Sequence, residues 1–402
     1  MLVVQKYGGT SVGTLERIDE VTKRVIQTRR AGNDVVVVVS AMSGVTNRLI
    51  EYAEHFAKNA PQSSDMDMLL SAGERVTSAL LSISLNANGH DAVSMSGRAA
   101  GIITDDVSTK ARILRIDTTN IKNALKEGKI VVVAGFQGVN EKGEVTTLGR
   151  GGSDLSAVAI AGALKADVCE IYTDVDGVYT TDPRIEPKAK KLEKISYDEM
   201  LELASMGAKV LQNRSVELAK KLSVNLVTRS SFNNNSGTLI TGEEGMQDME
   251  KVLISGIALD KNQARVTIRG VTDKPGVAAA IFTKLAEKNI NVDIIIQNNS
   301  KEDGTTSIGF TVPQNEADMA KSIVENEAKS VDIDNDVVKV SVVGVGMKSH
   351  SGVASLAFAT LANEGINIHM ISTSEIKISM IVSSKYGELA VRALHKAYEL
   401  DA

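Results

Sequence analysis

Short apolar runs alternate with amphipathic segments along the first half of the chain, and this pattern predicts strands alternating with helices. The predicted strands are Leu2 to Val4, Asp34 to Val39, Lys129 to Gly138, Val168 to Tyr172 and Leu222 to Arg229. Helical spacing predicts helices from Leu15 to Thr28 and from Asp65 to Asn86. Continuous β-branched runs are typical of parallel strands buried on both faces. We therefore expect residues 1–245 to form an α/β domain with a mostly parallel central sheet and helices on both faces.

Beyond residue 250 the pattern changes, because an internal repeat begins. Val266–Gly270, Gly276–Ala278 and Ile290–Val292 recur as Val340–Gly344, Gly352–Ala354 and Ile366–Ile368. Each repeat predicts a strand, a glycine turn, a helix and two more strands, and is too small to bury much core alone. We expect two packed α+β domains, residues 264–336 and residues 250–263 plus 337–402, because the segment from Val252 to Asp260 can pair with the second repeat.

Composition and charge exclude several classes of function. The 402 residues carry a net charge of -5 with both signs interspersed, so no nucleic-acid surface is predicted. No apolar run reaches the roughly 18 residues that span a bilayer, so we expect a cytoplasmic protein without a membrane partner. Cys169 is the single cysteine and is expected to be a buried, inert thiol. The five histidines lack metal-ligand spacing, so any metal should arrive with a substrate.

The stretch from Thr146 to Asp154 combines an arginine, three glycines, a hydroxyl and a carboxylate. Glycines leave backbone amides open to an oxygen-rich group, and Ser153 or Asp154 is a suitable N-cap for the apolar helix that follows. The stretch would then lie at the positive end of a helix dipole, which favours anions. A tight glycine turn before a core helix is the alternative that this stretch alone leaves open.

Other polar clusters also follow predicted strands. They are Lys6 to Gly13, Ser40 to Asn47 and Thr173 to Arg184. The first is not a Walker loop, because its lysine precedes its glycines. Since ligands bind at the carboxyl ends of strands in parallel sheets, we expect these clusters to converge on one crevice.

Together these motifs resemble those of the aspartate kinases, or aspartokinases, a branch of the amino-acid-kinase fold with two C-terminal ACT domains. In chain order the motifs are Lys6-Tyr7-Gly8-Gly9-Thr10-Ser11, Ser40 to Asn47, Gly73-Glu74, Thr147 to Asp154, Tyr172 to Arg184, Gly207-Ala208-Lys209-Val210-Leu211 and Ser372 to Ile376. The resemblance covers nearly the whole chain. It implies an N-terminal amino-acid-kinase domain followed by two ACT domains of βαββαβ type.

The resemblance also implies a reaction, the transfer of the γ-phosphoryl group of ATP to the side-chain carboxylate of L-aspartate. The products would be 4-phospho-L-aspartate and ADP, at the entry to lysine, threonine and methionine biosynthesis. An aspartate carboxylate with an ordinary pKa of about 3.9 is already ionised at pH 7, so no general base is needed. Charge neutralisation and in-line positioning are what phosphoryl transfer requires.

By resemblance, Lys6 and Lys209 neutralise the phosphates and the attacking carboxylate, and Asp154 holds the lysines. The alternative for each lysine is a solvated surface charge. The implied substrate residues are Thr46, Glu74, Phe136, Arg150, Gly151, Gly152 and Ser153. The implied nucleotide residues are Lys6, Tyr7, Gly8, Gly9, Thr10, Ser40, Thr173, Asp174, Tyr179, Asp182, Arg184 and Lys209, with Mg²⁺ bound chiefly through ATP oxygens. On pattern alone, Glu74 and Arg75 could instead be a charged pair on a surface helix.

ACT domains bind small amino acids, so the resemblance implies feedback inhibition by lysine and threonine and at least a homodimer. The implied effector residues are Asp273, Gly276, Val277, Ala278, Asn291, Val292, Asp293, Gln297, Asn298, Asn367, Ile368, Thr373, Ser374 and Glu375. The alternative is that the two domains serve only in dimerisation.

Two rival functions follow from the same residues. One is a kinase for N-acetylglutamate or carbamate, which Glu74 disfavours because such substrates lack a free ammonium group. The other is a catalytically inactive amino-acid sensor, which would be expected to have lost Lys6, Arg150, Asp154 or Lys209. One departure from the family is Gln212-Asn213, where many members have His-Pro.

Overall fold

The computed structural model describes residues 1–57, 62–205, 211–242, 253–298, 304–345, 347 and 352–401. Contacts among them divide the chain into two units. The first comprises the described parts of Met1–Val178, Lys191–Ala204 and 211–242. The second comprises Tyr179–Lys190, Ser205 and the described residues from 253 onward.

The elements as far as residue 242 alternate between strands and helices. They are β1 (Leu2–Tyr7), α1 (Leu15–Arg30), β2 (Asp34–Val39), α2 (Val45–Phe56), α3 (Ser64–Leu70), α4 (Ala72–Ala87), β3 (Ala92–Met95), β4 (Ile102–Thr104), β5 (Ile113–Ile116), α5 (Thr119–Lys126), β6 (Ile130–Ala134), β7 (Gln137–Val139), β8 (Val145–Thr147), α6 (Gly152–Leu164), β9 (Val168–Thr173), β10 (Lys194–Ser196), α7 (Tyr197–Ser205), α8 (Asn213–Leu222), β11 (Leu226–Ser230) and β12 (Thr238–Thr241).

An eight-stranded sheet forms the centre of the first unit, in the order β10-β12-β11-β9-β1-β2-β6-β3. All neighbouring pairs are parallel except β11 and β12. Val35 to Val39 of β2 are all fully buried, as a strand covered on both faces requires. The predicted mostly parallel sheet is confirmed.

Four details of the first unit differ from the prediction. The strand predicted from Lys129 to Gly138 ends as β6 at Ala134, and Gln137–Val139 form β7 in another sheet. The helix predicted from Asp65 to Asn86 is two helices, because α3 ends before Ser71 and α4 begins after it. The fifth predicted strand begins at Leu226, and its first predicted residue, Leu222, ends α8. A second sheet, in the order β5-β4-β7-β8, was not predicted, because its strands have only three or four residues.

The second unit contains the internal repeat. Its elements from residue 253 are β13 (Leu253–Thr272), α9 (Val277–Glu287), β14 (Ile295–Gln297), β15 (Thr305–Val312), α10 (Ala317–Val324), β16 (Ser330–Val345), α11 (Gly352–Asn363), β17 (Ile368–Thr373), β18 (Lys377–Ser383) and α12 (Gly387–Ala397). They form one six-stranded sheet in the order β14-β15-β13-β16-β18-β17.

The long strand β13 joins the two repeats. Its first half pairs antiparallel with residues 337–345 of β16, and its second half pairs with β15. The predicted pairing of the segment before the first repeat with the second repeat is therefore confirmed. Each repeat buries an apolar cluster of its own, one around Phe310 and one around Met380. The domain boundaries given above remain a prediction.

The segment Tyr179–Lys190 packs within the second unit, although it lies inside the predicted 1–245 domain. Ile257 donates its backbone N–H to the Thr180 carbonyl at 2.7 Å, and the Thr180 hydroxyl lies 2.9 Å from His395 Nε2. Ile185 packs against the cluster around Met380. Throughout the described ranges, no helix has both the length and the apolar character needed to cross a membrane.

Candidate active site

The predicted polar clusters of the first unit lie at the carboxyl edge of its parallel strands. Gly8, after β1, donates its N–H to the carbonyl of Tyr172 in β9 at 3.1 Å. Ser40, after β2, donates to the carbonyl of Tyr7 at 3.1 Å, and Gly135, after β6, donates to the carbonyl of Val39 at 3.0 Å. The ends of four neighbouring strands therefore meet at one edge of the sheet. That the clusters line one crevice stays a prediction.

Lys6 and Asp154 form a nearly buried ion pair at this edge. Lys6 Nζ lies 2.6 Å from Asp154 Oδ1, and the two side chains are 10% and 13% exposed. That oxygen accepts no hydrogen bond from another group in the described part of the chain. Lys6 projects from β1 and Asp154 from the first turn of α6, so the sheet and the helix hold the ammonium in place. A solvated surface charge is excluded for Lys6.

The glycine stretch turns sharply into α6. Gly149 and Gly151 have φ angles of 78° and 73°, in the region that favours glycine. Gly151 is the N-cap and the helix begins at Gly152, so the prediction of Ser153 or Asp154 as the N-cap is wrong. A Cβ on Gly152 would lie 2.9 Å from both Leu148 and Phe136, which explains why position 152 is a glycine. The Arg150 side chain is exposed.

Phe136 lies beside this turn in a strained conformation. Its φ of 68° is unusual for a bulky residue, and strain of this kind is concentrated at functional sites. Its N–H donates to the Ser156 hydroxyl at 3.1 Å, and its carbonyl accepts from Leu148 at 2.9 Å. The preceding Gly135 leaves room for Ser153, whose Cβ would lie 2.9 Å from an added Cβ.

Glu74 is a buried carboxylate, 3% exposed, near the start of α4. Its Oε1 accepts the Ala41 N–H at 3.0 Å, whereas its Oε2 has no hydrogen-bond partner among the described residues. Burial raises the pKa of Glu74 to about 7, although the Ala41 hydrogen bond opposes this shift. The interpretation of Glu74 as part of a surface charged pair is therefore wrong. Thr46, the remaining predicted substrate residue, is half-buried in the first turn of α2.

The residues assigned to the nucleotide divide between the two units. Gly8, Gly9, Thr10, Ser40, Thr173 and Asp174 belong to the first, at or just after strand ends. The Tyr7 ring is fully buried and stacks on Tyr172 at 4.6 Å, so only its backbone can face a ligand.

Three of these residues belong by their contacts to the second unit: Tyr179, Asp182 and Arg184. Arg184 forms an ion pair with Asp182 at 2.6 Å, and its hydrogen bonds lower the pKa of that carboxyl group. Lys209, with most of the predicted motif 207–211, lies outside the described residues. The expectation that Lys6 and Lys209 face one crevice therefore stays a prediction.

Two residues that sequence reasoning did not assign to the site hold the glycine stretch. Gln212 Nε2 donates to the Arg150 carbonyl at 2.6 Å. Arg214 donates to the Leu148 carbonyl at 2.8 Å and to the Ala111 carbonyl at 3.3 Å. Both lie at the start of α8, so this helix fixes the turn that carries Arg150. In the sequence, Gln212 is noted only as a departure from His-Pro, and that departure does not indicate its contact with Arg150.

In the second unit, a cavity of about 360 Å³ surrounds the glycine turn before α9. Of the predicted effector residues, those that line it are Asp273, Gly276, Val277, Ala278 and Gln297. Gly276 has a φ of 93° and is the N-cap of α9, so the amides of the first turn are open to an anion. Asn298 lies next to the lining residue Thr306, whose hydroxyl donates to the Asn298 carbonyl at 2.6 Å.

The other predicted effector residues lie elsewhere in the second unit. Residues 291–293 precede β14 rather than lining a strand, and the Asp293 carboxylate forms an ion pair with the buried Lys339. Asn367 precedes β17, Ile368 and Thr373 are its ends, and Ser374 and Glu375 form the turn that follows it. A second cavity, of about 570 Å³, is lined by Lys261, Lys385, Glu388 and Arg392 among others, none of which was predicted.

Comparison with known proteins identifies the family. The model of the amino acid kinase family matches residues 1–228, and that of the ACT domain matches residues 266–327 and 340–398. The chain is 59% identical to the aspartokinase of Helicobacter pylori strain J99, with all of both chains covered. The chain belongs to the aspartokinases. It is therefore a kinase, with the predicted fold of an amino-acid-kinase domain and ACT domains.

Solved aspartokinase structures agree with this fold. The E. coli aspartokinase III complex with aspartate and ADP, in the R-state, is 26% identical, covers 99% of each chain and has a TM-score of 0.81. The same enzyme in complex with lysine and aspartate, in the T-state, is 26% identical over 98% of this chain and 99% of that chain, with a TM-score of 0.76. The TM-scores show that the chain shares the aspartokinase fold with both.

Proposed function

We propose that this kinase transfers the γ-phosphoryl group of MgATP to the β-carboxylate of L-aspartate, giving 4-phospho-L-aspartate and ADP. The observation that carries the proposal is the nearly buried Lys6–Asp154 pair at the carboxyl edge, beside a glycine turn and a buried carboxylate. The similarity to aspartokinases supports the acceptor, and the E. coli aspartokinase III complex with aspartate and ADP supports both ligands.

Lys6 would offset the charge that repels the two reacting anions. Its ammonium is fixed by Asp154 before the substrates bind, so little reorganisation is needed when negative charge develops on the transferred group. The attacking carboxylate is already ionised near neutral pH, so no described residue has to remove a proton. Lys209 would act on the nucleotide side.

Glu74 and Arg150 would select the amino acid. The unpaired Oε2 of Glu74 is a buried acceptor that fits an ammonium group, since a buried charge is stable only when paired. Arg150 is exposed on a fixed turn and can grip an α-carboxylate with two hydrogen bonds. Thr46, Phe136, Gly151, Gly152 and Ser153 would complete this pocket.

The backbone at Gly8, Gly9 and Thr10 would hold the phosphates, with the Ser40 hydroxyl. The site fits such a group, because a Cβ on Gly8 would lie 3.4 Å from Lys6 Nζ and occupy the space beside the ammonium. No cluster of three or more His, Cys, Asp or Glu side chains is found in the described ranges. Mg²⁺ would be held mainly by ATP oxygens and would neutralise phosphate charge. Thr173, Asp174, Tyr179, Asp182 and Arg184 would serve the nucleotide.

An ATP-dependent hydroxamate assay tests the acceptor, because hydroxylamine traps an acyl phosphate. We expect product with L-aspartate and little with L-glutamate or N-acetylglutamate. A preference for N-acetylglutamate would favour the rival kinase, and no product with any acid would favour the inactive sensor.

We further propose feedback inhibition by lysine and threonine through the second unit, which places this kinase at the entry to lysine, threonine and methionine biosynthesis. The cavity at the α9 turn supports this, because the Asp273 carboxylate suits an effector ammonium and the amides after Gly276 suit its carboxylate. The E. coli aspartokinase III complex with lysine and aspartate adds support. We also propose a homodimer or larger assembly through the ACT domains.

A further inference from the structure

Asp67 is a fully buried carboxylate of α3 that the proposed reaction does not use. One of its oxygens, Oδ1, accepts three hydrogen bonds from two distant segments. Thr147 donates its N–H at 3.0 Å and its hydroxyl at 2.5 Å, and Thr109 donates its N–H at 2.9 Å. Hydrogen bonds to an ionised acceptor are stronger than those between neutral groups. Asp67 therefore joins residues 109 and 147 firmly.

Thr109 is held in a conformation that it would not choose by itself. Its φ is 63°, in the left-handed region, where a β-branched residue is a genuine outlier. Strain of this kind persists only when surrounding contacts enforce it, and the Asp67 hydrogen bond is such a contact.

Both partners of Asp67 lie against the turn that carries Arg150. Thr147 ends β8, three residues before Arg150 in the chain. The Thr109 carbonyl lies so close to Gly149 that an added Cβ there would be 3.2 Å from it. A further hydrogen bond joins the same two segments, because Ala111 donates its N–H to the Thr147 carbonyl at 2.9 Å.

We infer that Asp67 is a positioning residue for the amino-acid subsite: it sets the position of Arg150 by fixing Thr147 and the strained Thr109. The inference rests on the proposed role of Arg150. In α3, Asp67 lies on the same face as Leu70, which follows it by three residues and is also buried. No sequence feature near Asp67 indicates that Thr109 and Thr147 are its partners.

Steady-state kinetics of Asp67→Asn test the inference. The amide oxygen can still accept but has no charge, so we expect KM for aspartate to rise about tenfold and KM for ATP to stay within about twofold. Thr109→Gly in that background should recover most of the loss, because glycine adopts a left-handed φ without strain. Thr147→Val, which removes only the hydroxyl donor, should raise KM for aspartate about threefold, and it provides the test if Asp67→Asn does not fold.

Two further variants separate the possible failures. Asp105→Asn is the matched control, because Asp105 also accepts N–H groups, from Val107 and Arg112, and its replacement should leave KM for aspartate unchanged. Arg150→Ala should raise KM for aspartate strongly; if it does not, the proposed role of Arg150 fails. Suppose that Arg150→Ala does raise KM for aspartate. If Asp67→Asn and Thr147→Val then lower only the amount of active protein, or raise KM for aspartate and KM for ATP equally, Asp67 is merely structural and the inference is overturned.

Discussion

Glu74 combines burial, one satisfied oxygen and one unsatisfied oxygen, and these features make its charge dependent on a ligand. Its pKa is raised from 4.5 to about 7 by burial. Below that pH the free protein holds Glu74 neutral, and a neutral carboxyl group attracts an ammonium group weakly. A bound ammonium group would lower this pKa and stabilise the charged form.

We therefore expect kcat/KM for aspartate to fall as pH decreases below about 7, approaching tenfold per pH unit. Glu74→Gln should have a lower kcat/KM at pH 8 and should lose this pH dependence.

The titration of Glu74 should also change the free energy of unfolding, in the opposite direction with pH. The folded chain binds more protons at Glu74 than the unfolded chain between pH 4.5 and 7, so this group's contribution to stability falls as pH rises through that interval. Urea unfolding of both proteins at pH 5 and pH 8, beside the kinetics, checks the two signs; an unchanged pH profile in Glu74→Gln would contradict the assignment.

Residue types near the site were easier to predict than their partners. Lys6, Glu74 and Asp154 were named through the resemblance of their motifs to those of the aspartate kinases, whereas the pattern alone left Glu74 in a surface charged pair. Phe136 was named in the same way, but its left-handed conformation could not be predicted, because its backbone is held by hydrogen bonds with Leu148 and Ser156, which are distant in the sequence. Gln212 acts on a carbonyl 62 residues away, and no local pattern encodes that contact.

At the scale of elements, the site depends on how closely α6 approaches the end of β6. Gly135 makes this approach possible, since an added Cβ would lie 2.9 Å from Ser153 Cβ and 3.0 Å from Val38. We expect Gly135→Ala to lower the free energy of unfolding by about 1–3 kcal/mol, as overpacking does, and to raise KM for aspartate by moving Ser153. Urea unfolding and steady-state kinetics measure both effects. Gly242→Ala is the control, because no atom of the described residues lies within 4 Å of its added Cβ and its φ is not positive. Equal behaviour of the two variants would contradict the packing argument.

Elements with long apolar runs were predicted well, and short or polar elements were not. β2 and β6 are continuous apolar strands, and their burial follows from composition alone. The break at Ser71 was not predicted, because the nearby Gly73 is an isolated glycine, which a helical pattern tolerates. The strands β4, β7 and β8 are too short for a periodic signal. The α6 N-cap is a glycine required by backbone geometry, not the polar residue that propensity favours.

At the scale of the whole molecule, the internal repeat explains why the second unit is a single sheet. β13 and β16 both run from one repeat into the other and pair with each other along most of their length, so the two repeats share one continuous sheet. The repeat was visible in the sequence because glycine turns and apolar strands recur with nearly the same spacing. The membership of Tyr179–Lys190 in this unit was not visible, since it depends on contacts with Ile257 and His395.

If the second unit binds feedback effectors, inhibition should depend on the α9 turn. We expect lysine and threonine together to inhibit more strongly than either alone, and Asp273→Ala to weaken inhibition at least tenfold without changing the uninhibited rate. Lys385→Ala, in the other cavity of the unit, is the matched control and should retain inhibition. The measurement is the initial rate with lysine, with threonine, with both and with neither. If the unaltered protein is insensitive to every combination, the feedback proposal fails.

The central claim is that the fixed ammonium group of Lys6 neutralises the reacting anions. The most direct measurement is the rate of aspartyl hydroxamate formation by Lys6→Ala at saturating ATP and aspartate, with the unfolding curve recorded on the same sample. We predict a fall in turnover of about a thousandfold or more with a cooperative unfolding transition retained, because an electrostatic contribution of this kind is specific to the transition state. Turnover close to that of the unaltered protein would contradict the account.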